Sequence, residues 1–157
     1  MDLPIDATKD YTAAATDVLA SITPVLYEDD NTLVSDMARI RFIHLSPNAP
    51  MVDVQVAGGP VLFNDVSFQE SGGYVAVPGG TYDLEVVLSV GGGLALEIND
   101  ITVDDNKVYT AYAMGLVGET DPNTTLQAVF SVDAVPEPTG FALLLTCVLC
   151  LLPRRRS

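Results

Sequence analysis

The chain has 157 residues, a usual length for one domain, and 48% of them are hydrophobic, which is enough to build a core. Three of its seven basic side chains are Arg154, Arg155 and Arg156, so residues 1–138 hold four basic against 21 acidic side chains, a net charge of −17. This charge argues against nucleic acid and acidic ligands as partners, because both bind to positive surfaces.

The N-terminal segment is similar to a later part of the same chain. At a shift of 98 residues, Leu3–Leu19 aligns with Ile101–Val117, and six of the 17 aligned positions are identical. The identical residues are Asp6, Lys9, Tyr11, Thr12, Ala13 and Ala15, which match Asp104, Lys107, Tyr109, Thr110, Ala111 and Ala113. We expect residues 1–33 to be the last strands of a truncated preceding repeat, with chance similarity between two β segments as the alternative. We also expect no secretory signal peptide, because the chain starts without cationic residues or an apolar stretch.

Short strands are predicted throughout residues 36–133. Apolar residues alternate with polar ones or form β-branched runs every ten residues or so, and glycine, proline or acidic turns separate these runs. No stretch of ten or more residues in this part shows helical periodicity. The pattern predicts an all-β fold, an antiparallel sandwich of the Ig-like or transthyretin-like type. The predicted strands are residues 39–45, 51–57, 60–63, 75–77, 82–88, 94–103, 108–114 and 126–132.

The segment from Ala38 to Phe63 reads ARIRFIHLSPNAPMVDVQVAGGPVLF. It resembles the opening of the domain-of-unknown-function family 4397, which has Arg-x-Arg-Phe-x-His-x-Ser-Pro-Asp-Ala-Pro-x-Val-Asp-Val. A later Val-Pro-x-Gly-Thr-Tyr of that family is similar to residues 77–82. Asn48 stands where the family usually has aspartate, and Gln55 stands where an aromatic residue is common. The resemblance covers about residues 36–133 and implies a secreted β-sandwich domain that occurs in tandem and has no settled activity.

Candidate catalytic residues are few. His44 is the only histidine, and together with Ser46 and Asp53 it could be written as a triad, but Ser46 lies two residues away at the same strand end. No nucleophile elbow, phosphate-binding loop or zinc-protease motif is present in the sequence. We therefore expect a protein that is not an enzyme, in which the His44 ring ties the turn of residues 46–50 to a neighbouring strand.

Two acidic clusters, residues 28–31 and 104–106, could bind calcium through their oxygen atoms. Neither has EF-hand spacing, and ordinary solvated turns are the favoured interpretation, so no cofactor is expected and calcium is the alternative. A pair of carboxylates for glycoside hydrolysis is available among the 21, but nothing singles out two. The absence of tryptophan weakens a sugar-binding interpretation, although tyrosines could serve as stacking surfaces. These tyrosines are Tyr74, Tyr82, Tyr109 and Tyr112.

The C-terminal segment, residues 134–157, has three parts in a fixed order. Pro136, Glu137 and Pro138 precede an apolar run from Thr139 to Leu152, and an arginine cluster follows. The run of 14 residues would span about 21 Å as a helix, which is short of the roughly 30 Å of a bilayer core. A buried helix or strand is therefore an alternative, but a run that is apolar on all sides and is followed by cations favours a membrane helix.

This order of parts resembles the PEP-CTERM sorting signal of Gram-negative bacteria. In that family an exosortase, a membrane-embedded cysteine protease, processes the protein near the motif and passes it to the cell surface or the exopolysaccharide matrix. The resemblance implies that Arg154, Arg155 and Arg156 form the cytoplasmic basic cluster. It also implies a membrane anchor made of Phe141, Leu143, Leu144, Leu145, Val148, Leu149, Leu151 and Leu152. Cys147 and Cys150, the only cysteines, lie in this run as small apolar residues, with lipidation as the alternative. A disulfide framework and a cysteine-rich zinc site are therefore excluded for the rest of the chain.

Together these features predict an exported surface or extracellular-matrix protein with a structural or adhesive role. Before processing it would cross the inner membrane once with its C-terminus in the cytoplasm. The expected partners are an exosortase, the membrane for a transient period and an exopolysaccharide. The alternatives are a calcium- or glycan-binding module and, less favoured, a hydrolase of surface polymers.

Overall fold

The computed structural model describes residues 5–136, and nearly all of the regular structure in them is β-strand. The predicted all-β fold is therefore confirmed. The strands are β1 (Asp10–Thr16), β2 (Thr23–Asp29), β3 (Ala38–Leu45), β4 (Val52–Val56), β5 (Val61–Val66), β6 (Ser71–Val77), β7 (Gly80–Leu88), β8 (Leu94–Val103), β9 (Val108–Met114) and β10 (Gln127–Ala134). A 3-10 turn, Leu19–Ser21, connects β1 with β2.

Two four-stranded sheets form a sandwich. Sheet 1 has the strand order β10-β9-β3-β6, and sheet 2 has the order β5-β4-β7-β8. Alternate side chains from both sheets meet between them, as expected for strands with one face in the core. The Phe42 ring of sheet 1 lies 6.0 Å from the Phe63 ring of sheet 2. The buried core consists of Ala38, Ile40, Phe42, Val52, Val54, Phe63, Val66, Val77, Val86, Val103, Tyr109, Ala111 and Ala113.

Strands β3 and β9 pair in parallel, with Arg39 opposite Val108 and Leu45 opposite Met114. The prediction of an antiparallel sandwich is wrong for this pair, whereas the other strand pairs of the sandwich are antiparallel. Residues 46–107 pass through sheet 2 and β6 between these two strands, which is the long connection that a parallel pair needs. An alternating pattern fixes which face of a strand is buried but not which distant strand lies beside it.

Strand β6 begins earlier than the sequence predicts, because two glycines that resemble a turn lie within it. A Cβ atom at Gly72 would lie 2.6 Å from Cδ1 of Phe63. The missing side chain therefore makes room for a buried aromatic ring of the opposite sheet.

The N-terminal hairpin, β1 with β2, is an antiparallel pair that covers the outer face of sheet 1. The Tyr27 hydroxyl donates to the Gln69 carbonyl oxygen at 3.1 Å, and Gln69 Nε2 donates to the Thr16 hydroxyl at 2.7 Å. Because the hairpin covers this face, β3 is buried on both sides. The sandwich thus carries a third layer made of two strands.

The predicted sorting segment lies almost entirely outside the described residues. Pro136 is the last residue described, whereas Glu137, Pro138, the apolar run and the basic cluster of residues 154–156 lie beyond it. Within residues 5–136, no helix has the length and apolar character that a membrane crossing requires.

Candidate functional site

A buried arginine lies between the N-terminal hairpin and sheet 1. The Arg41 side chain is 1% exposed. Its Nε donates to the Thr110 hydroxyl at 2.9 Å, and its Nη2 donates to the Thr12 hydroxyl at 3.2 Å. Its Nη1 lies 2.7 Å from Oδ1 of Asp29. A guanidinium group has donors that point in several fixed directions, so one side chain contacts strands β1, β2 and β9 at the same time.

Two threonine–aspartate pairs surround this guanidinium group. In the N-terminal hairpin the Thr12 hydroxyl donates to Oδ2 of Asp29 at 2.9 Å. In the C-terminal hairpin, β9 with β10, the Thr110 hydroxyl donates to Oδ2 of Asp133, which also lies 3.8 Å from Arg41 Nη2. The two carboxylate side chains are only 11% and 12% exposed. We call Arg41, Thr12, Asp29, Thr110 and Asp133 the arginine cluster; it sets one buried cation against two carboxylates.

A second arginine, Arg39, also attaches the N-terminal hairpin to sheet 1, at a position nearer to solvent than Arg41. Arg39 Nη2 lies 2.7 Å from Oδ2 of Asp30, and Nη1 donates to the Thr32 carbonyl oxygen at 2.8 Å. The hydrogen bond from Arg39 holds the pKa of Asp30 well below its usual range. The Tyr74 ring lies beside both arginines, with its centroid 4.6 Å from Cζ of Arg39 and 5.0 Å from Cζ of Arg41. Burial raises the pKa of the Tyr74 hydroxyl.

Alternation along β3 produces this arrangement. Ile40 and Phe42 point into the core, so Arg39 and Arg41 point to the opposite face. That face would normally be solvated, and arginines suit it; here the N-terminal hairpin covers it, and the arginines must be paired. The arginine cluster was not predicted. The available signal was that two of the four cations in residues 1–138 stand two residues apart on one strand.

The acidic cluster of residues 28–31 provides the partners for these cations. Glu28 lies 2.7 Å from Lys9 Nζ, and Asp29 and Asp30 pair with the two arginines. In the second acidic cluster, Asp104 pairs with Lys107 at 2.8 Å, and Asp105 accepts from the Gly79 backbone N–H at 2.6 Å. Among residues 5–136, no group of three or more histidine, cysteine, aspartate or glutamate side chains is arranged to hold a metal ion. The prediction that no cofactor binds, and its alternative of calcium at these turns, both stay predictions.

His44 organises the turn that follows β3. The Ser46 backbone N–H donates to Nδ1 at 3.2 Å, so Nδ1 accepts, and Nε2 lies 3.1 Å from the Pro50 carbonyl oxygen, to which it donates. This pattern fits the neutral ring, and burial lowers the pKa of His44. The ring ties the turn to β3 itself and not, as predicted, to a neighbouring strand. Asp53 accepts from the Ser89 hydroxyl at 2.6 Å, so both residues have partners outside the triad that the sequence allowed.

Three of the four tyrosines considered for sugar stacking have structural contacts. Tyr74 lies against the arginines, the Tyr82 hydroxyl donates to the Pro78 carbonyl oxygen at 2.7 Å, and the Tyr109 hydroxyl accepts from the Asp104 backbone N–H at 3.0 Å. These rings hold turns and charges in place.

Two open cavities lie at opposite ends of the N-terminal hairpin. One, of about 410 Å³, is lined by Asp10, Asn31, Leu33, Asp133, Ala134 and Val135. The other, of about 400 Å³, lies by the hairpin turn; it is lined by residues 15–19 and by Leu45, Pro47, Met114, Gly115, Leu116, Asn123 and Thr124.

Comparison with known proteins gives one family. A protein-family model described as "Domain of unknown function (DUF4397)" matches residues 1–55 and residues 51–144. Among solved structures, the chain is similar to the C-terminal domain of AlgF from P. aeruginosa, at 18% identity and a TM-score of 0.45. That match covers 62% of this chain and 99% of the AlgF domain. The curated proteins contain no match.

Proposed function

The chain belongs to the DUF4397 family. From its buried contacts and its C-terminal sequence, we propose that it is a non-enzymatic, repeat-forming module of an exported surface or matrix protein. Its role is structural or adhesive, and an exosortase processes it. Its three parts are residues 1–33 from a preceding repeat, a β-sandwich of the Ig-like or transthyretin-like type at 36–133, and a sorting and membrane-anchor segment at 134–157. The proposed partners are the exosortase, the membrane before processing, and an exopolysaccharide.

The arginine cluster is the observation that carries the structural role. Arg41 joins two hairpins that lie far apart in the sequence, and it does so inside the protein, where a charged group is expensive unless it is paired. The four cations of the described residues, Lys9, Arg39, Arg41 and Lys107, all lie within ion-pair distance of carboxylates. The charged groups thus support the fold, and the remaining acidic surface favours solubility outside the cell.

The hydrogen bonds of the candidate catalytic groups support the non-enzymatic part of the proposal. Both ring nitrogens of His44 bond to the adjacent turn, and Asp53 bonds to Ser89 and to the Asp65 backbone. A general base must reach a substrate proton, and the ring of His44 has no free nitrogen for that purpose.

The export part of the proposal rests on the order of three parts in the sequence: Pro136-Glu137-Pro138, the apolar run, and the basic cluster Arg154, Arg155 and Arg156. The test is mass spectrometry of the C-terminal peptides of the full-length protein, fractionated from a host that has an exosortase and from the same host without it. We expect the surface or medium fraction of the first host to lack residues 141–157. The Glu137→Ala variant should keep them, whereas Glu119→Ala, in an exposed loop, should be processed normally. An intact tail found only in the inner membrane would refute exosortase sorting.

A further inference from the structure

The two hairpins share hydrogen bonds as well as sequence. In the N-terminal hairpin the Asp6 backbone N–H donates to the Tyr11 hydroxyl at 3.1 Å, and 98 residues later the Asp104 backbone N–H donates to the Tyr109 hydroxyl at 3.0 Å. In each hairpin the hydroxyl of the next residue, Thr12 or Thr110, donates to an aspartate of the partner strand. A chance similarity of two β segments would not reproduce both contacts.

The register between the strands of each hairpin is also the same over most of its length, and it differs only at a bulge of β10 between Val132 and Ala134. Thr12 pairs with Tyr27, and Thr110 pairs with Ser131, so β2 corresponds to β10 at a shift of 104 residues. At that shift Asp29 corresponds to Asp133. Strand β1 therefore occupies, in its own hairpin, the position of β9.

Strand β9 has two neighbours, but β1 has one. On one side β9 pairs with β10, and on the other it pairs in parallel with β3. Strand β1 pairs with β2, and within residues 5–136 its other edge has no strand. Exposed strand edges present unpaired N–H and C=O groups, which readily accept a further strand.

No other strand of residues 5–136 covers one face of the N-terminal hairpin. Ala111 and Ala113 of β9 are 4% and 3% exposed, because sheet 2 covers them. The corresponding residues of β1, Ala13 and Ala15, are exposed. This face has the apolar pattern of a core strand without the second sheet that a sandwich places over it.

We propose that the free edge of β1 binds, in parallel, the β3-equivalent strand of another copy of this domain, and that this strand brings its own Arg-x-Arg pair to the N-terminal hairpin. The occupant is an upstream repeat, whose last two strands are β1 and β2. This inference rests on the repeat-module part of the proposed function and is independent of processing at the tail.

Charge complementarity supports this occupant. By equivalence with the β3–β9 register, the first arginine of the incoming strand stands opposite Asp10 and the second stands opposite Thr12. Asp10 lines the cavity of about 410 Å³ together with Asn31 and Asp133. Asn31 Oδ1 in this cavity is buried and has no hydrogen-bond partner among the described residues. A second guanidinium group there would balance the second carboxylate of the arginine cluster and satisfy this oxygen.

The test uses the full chain, labelled with ¹⁵N, and a synthetic peptide with the sequence of residues 38–45. The peptide should bind, and shift changes should concentrate on the amides of residues 10–16. A nitroxide at the C-terminal end of the peptide should broaden the amide of Thr16 more than that of Asp10, because in parallel pairing Leu45 corresponds to the position opposite Thr16. The measurement thus shows which strand edge binds the peptide and whether the peptide pairs in parallel.

The matched control is a peptide of the same composition in which each arginine exchanges places with the residue that follows it. Its charge is unchanged, but the arginines now lie on the opposite face of the strand. We expect it to bind at least about tenfold more weakly, the effect of losing a charge-assisted hydrogen bond. Thr12→Val should weaken the binding of the native peptide by a similar factor, and Thr81→Val, on β7, should leave it unchanged.

Equal binding of the two peptides, no binding, or shift changes at another strand edge would each overturn the proposal. Because these results concern only β1, they are distinct from a failure of tail processing, which the mass spectrometry reports.

Discussion

Replacement of Arg41 by methionine tests whether the arginine cluster holds the fold together. The change keeps much of the apolar stem but leaves Asp29 and Asp133 as carboxylates whose side chains are only 11% and 12% exposed. Removing one partner of a buried ion pair costs about 3–5 kcal/mol, because the remaining charge is left without compensation. Against the roughly 5–15 kcal/mol by which a domain is stable, this is a large loss.

Arg39→Met is the matched control, because it removes an arginine from the same face of β3. Its partner Asp30 has a side chain that is 53% exposed, so water can solvate the carboxylate that remains. The Arg39 side chain itself is 14% exposed, but an ion pair whose carboxylate is open to water behaves as a surface pair and contributes about 1 kcal/mol. Arg41→Met should therefore cost several times as much free energy of unfolding as Arg39→Met.

The assay is equilibrium unfolding in urea, followed by far-ultraviolet circular dichroism because the chain has no tryptophan. A third variant, Arg41→Met with Asp29→Asn and Asp133→Asn, should regain part of the lost stability, because it removes the uncompensated charges. Equal losses in Arg41→Met and Arg39→Met, or no recovery in the triple variant, would show that the buried pair does not carry the energy assigned to it.

Two further predictions concern a titrating side chain and a glycine. Burial lowers the pKa of His44 from its usual 6.5, so the unfolded chain takes up this proton at a higher pH than the folded chain does. The free energy of unfolding should therefore decrease as the pH falls below 6.5. NMR of the ring should show a titration midpoint below 6.5, with Nδ1 unprotonated in the neutral form. Gly115→Ala should destabilise by about 1–3 kcal/mol in urea unfolding, because Gly115 has φ = +92° and a Cβ atom would collide with the Thr125 carbonyl oxygen. Gly58→Ala, where φ = +65° but nothing lies within 4 Å of the added atom, should cost less; equal losses would assign the Gly115 effect to the dihedral angle alone.

The strands were largely predictable because alternation reports directly on which face is buried. Every predicted strand of residues 36–133 overlaps an observed one. The parallel neighbour of β3 was not predictable, since nothing in the local pattern of Arg39–Leu45 selects β9. Partner choice depends on the path of the whole chain through both sheets.

The burial of Arg41 was also not predictable from the local sequence. Arg39 and Arg41 alternate with Ile40 and Phe42, and this pattern ordinarily means a solvated outer face. Of the residues that cover that face, Thr12 lies in the segment Leu3–Leu19, whose similarity to residues 101–117 was visible only by comparing the chain with itself. Asp29 lies in β2, outside the aligned positions, and was included only in the expected extent of the repeat, residues 1–33. The repeat was thus the one sequence signal that related the acidic cluster of residues 28–31 to a hairpin.

The energetics of the arginine cluster indicate that it determines the register at which the N-terminal hairpin packs on sheet 1. Apolar packing would hold the N-terminal hairpin on sheet 1 at several registers, because hydrophobic contact has little directional preference. A buried guanidinium group adds little net stability compared with such packing, but it is very costly when its carboxylates are displaced. A shift of the hairpin by two residues would move both Thr12 and Asp29 away from Arg41. The cluster therefore penalises wrong registers more than it stabilises the right one, which is what a module that meets similar copies of itself requires.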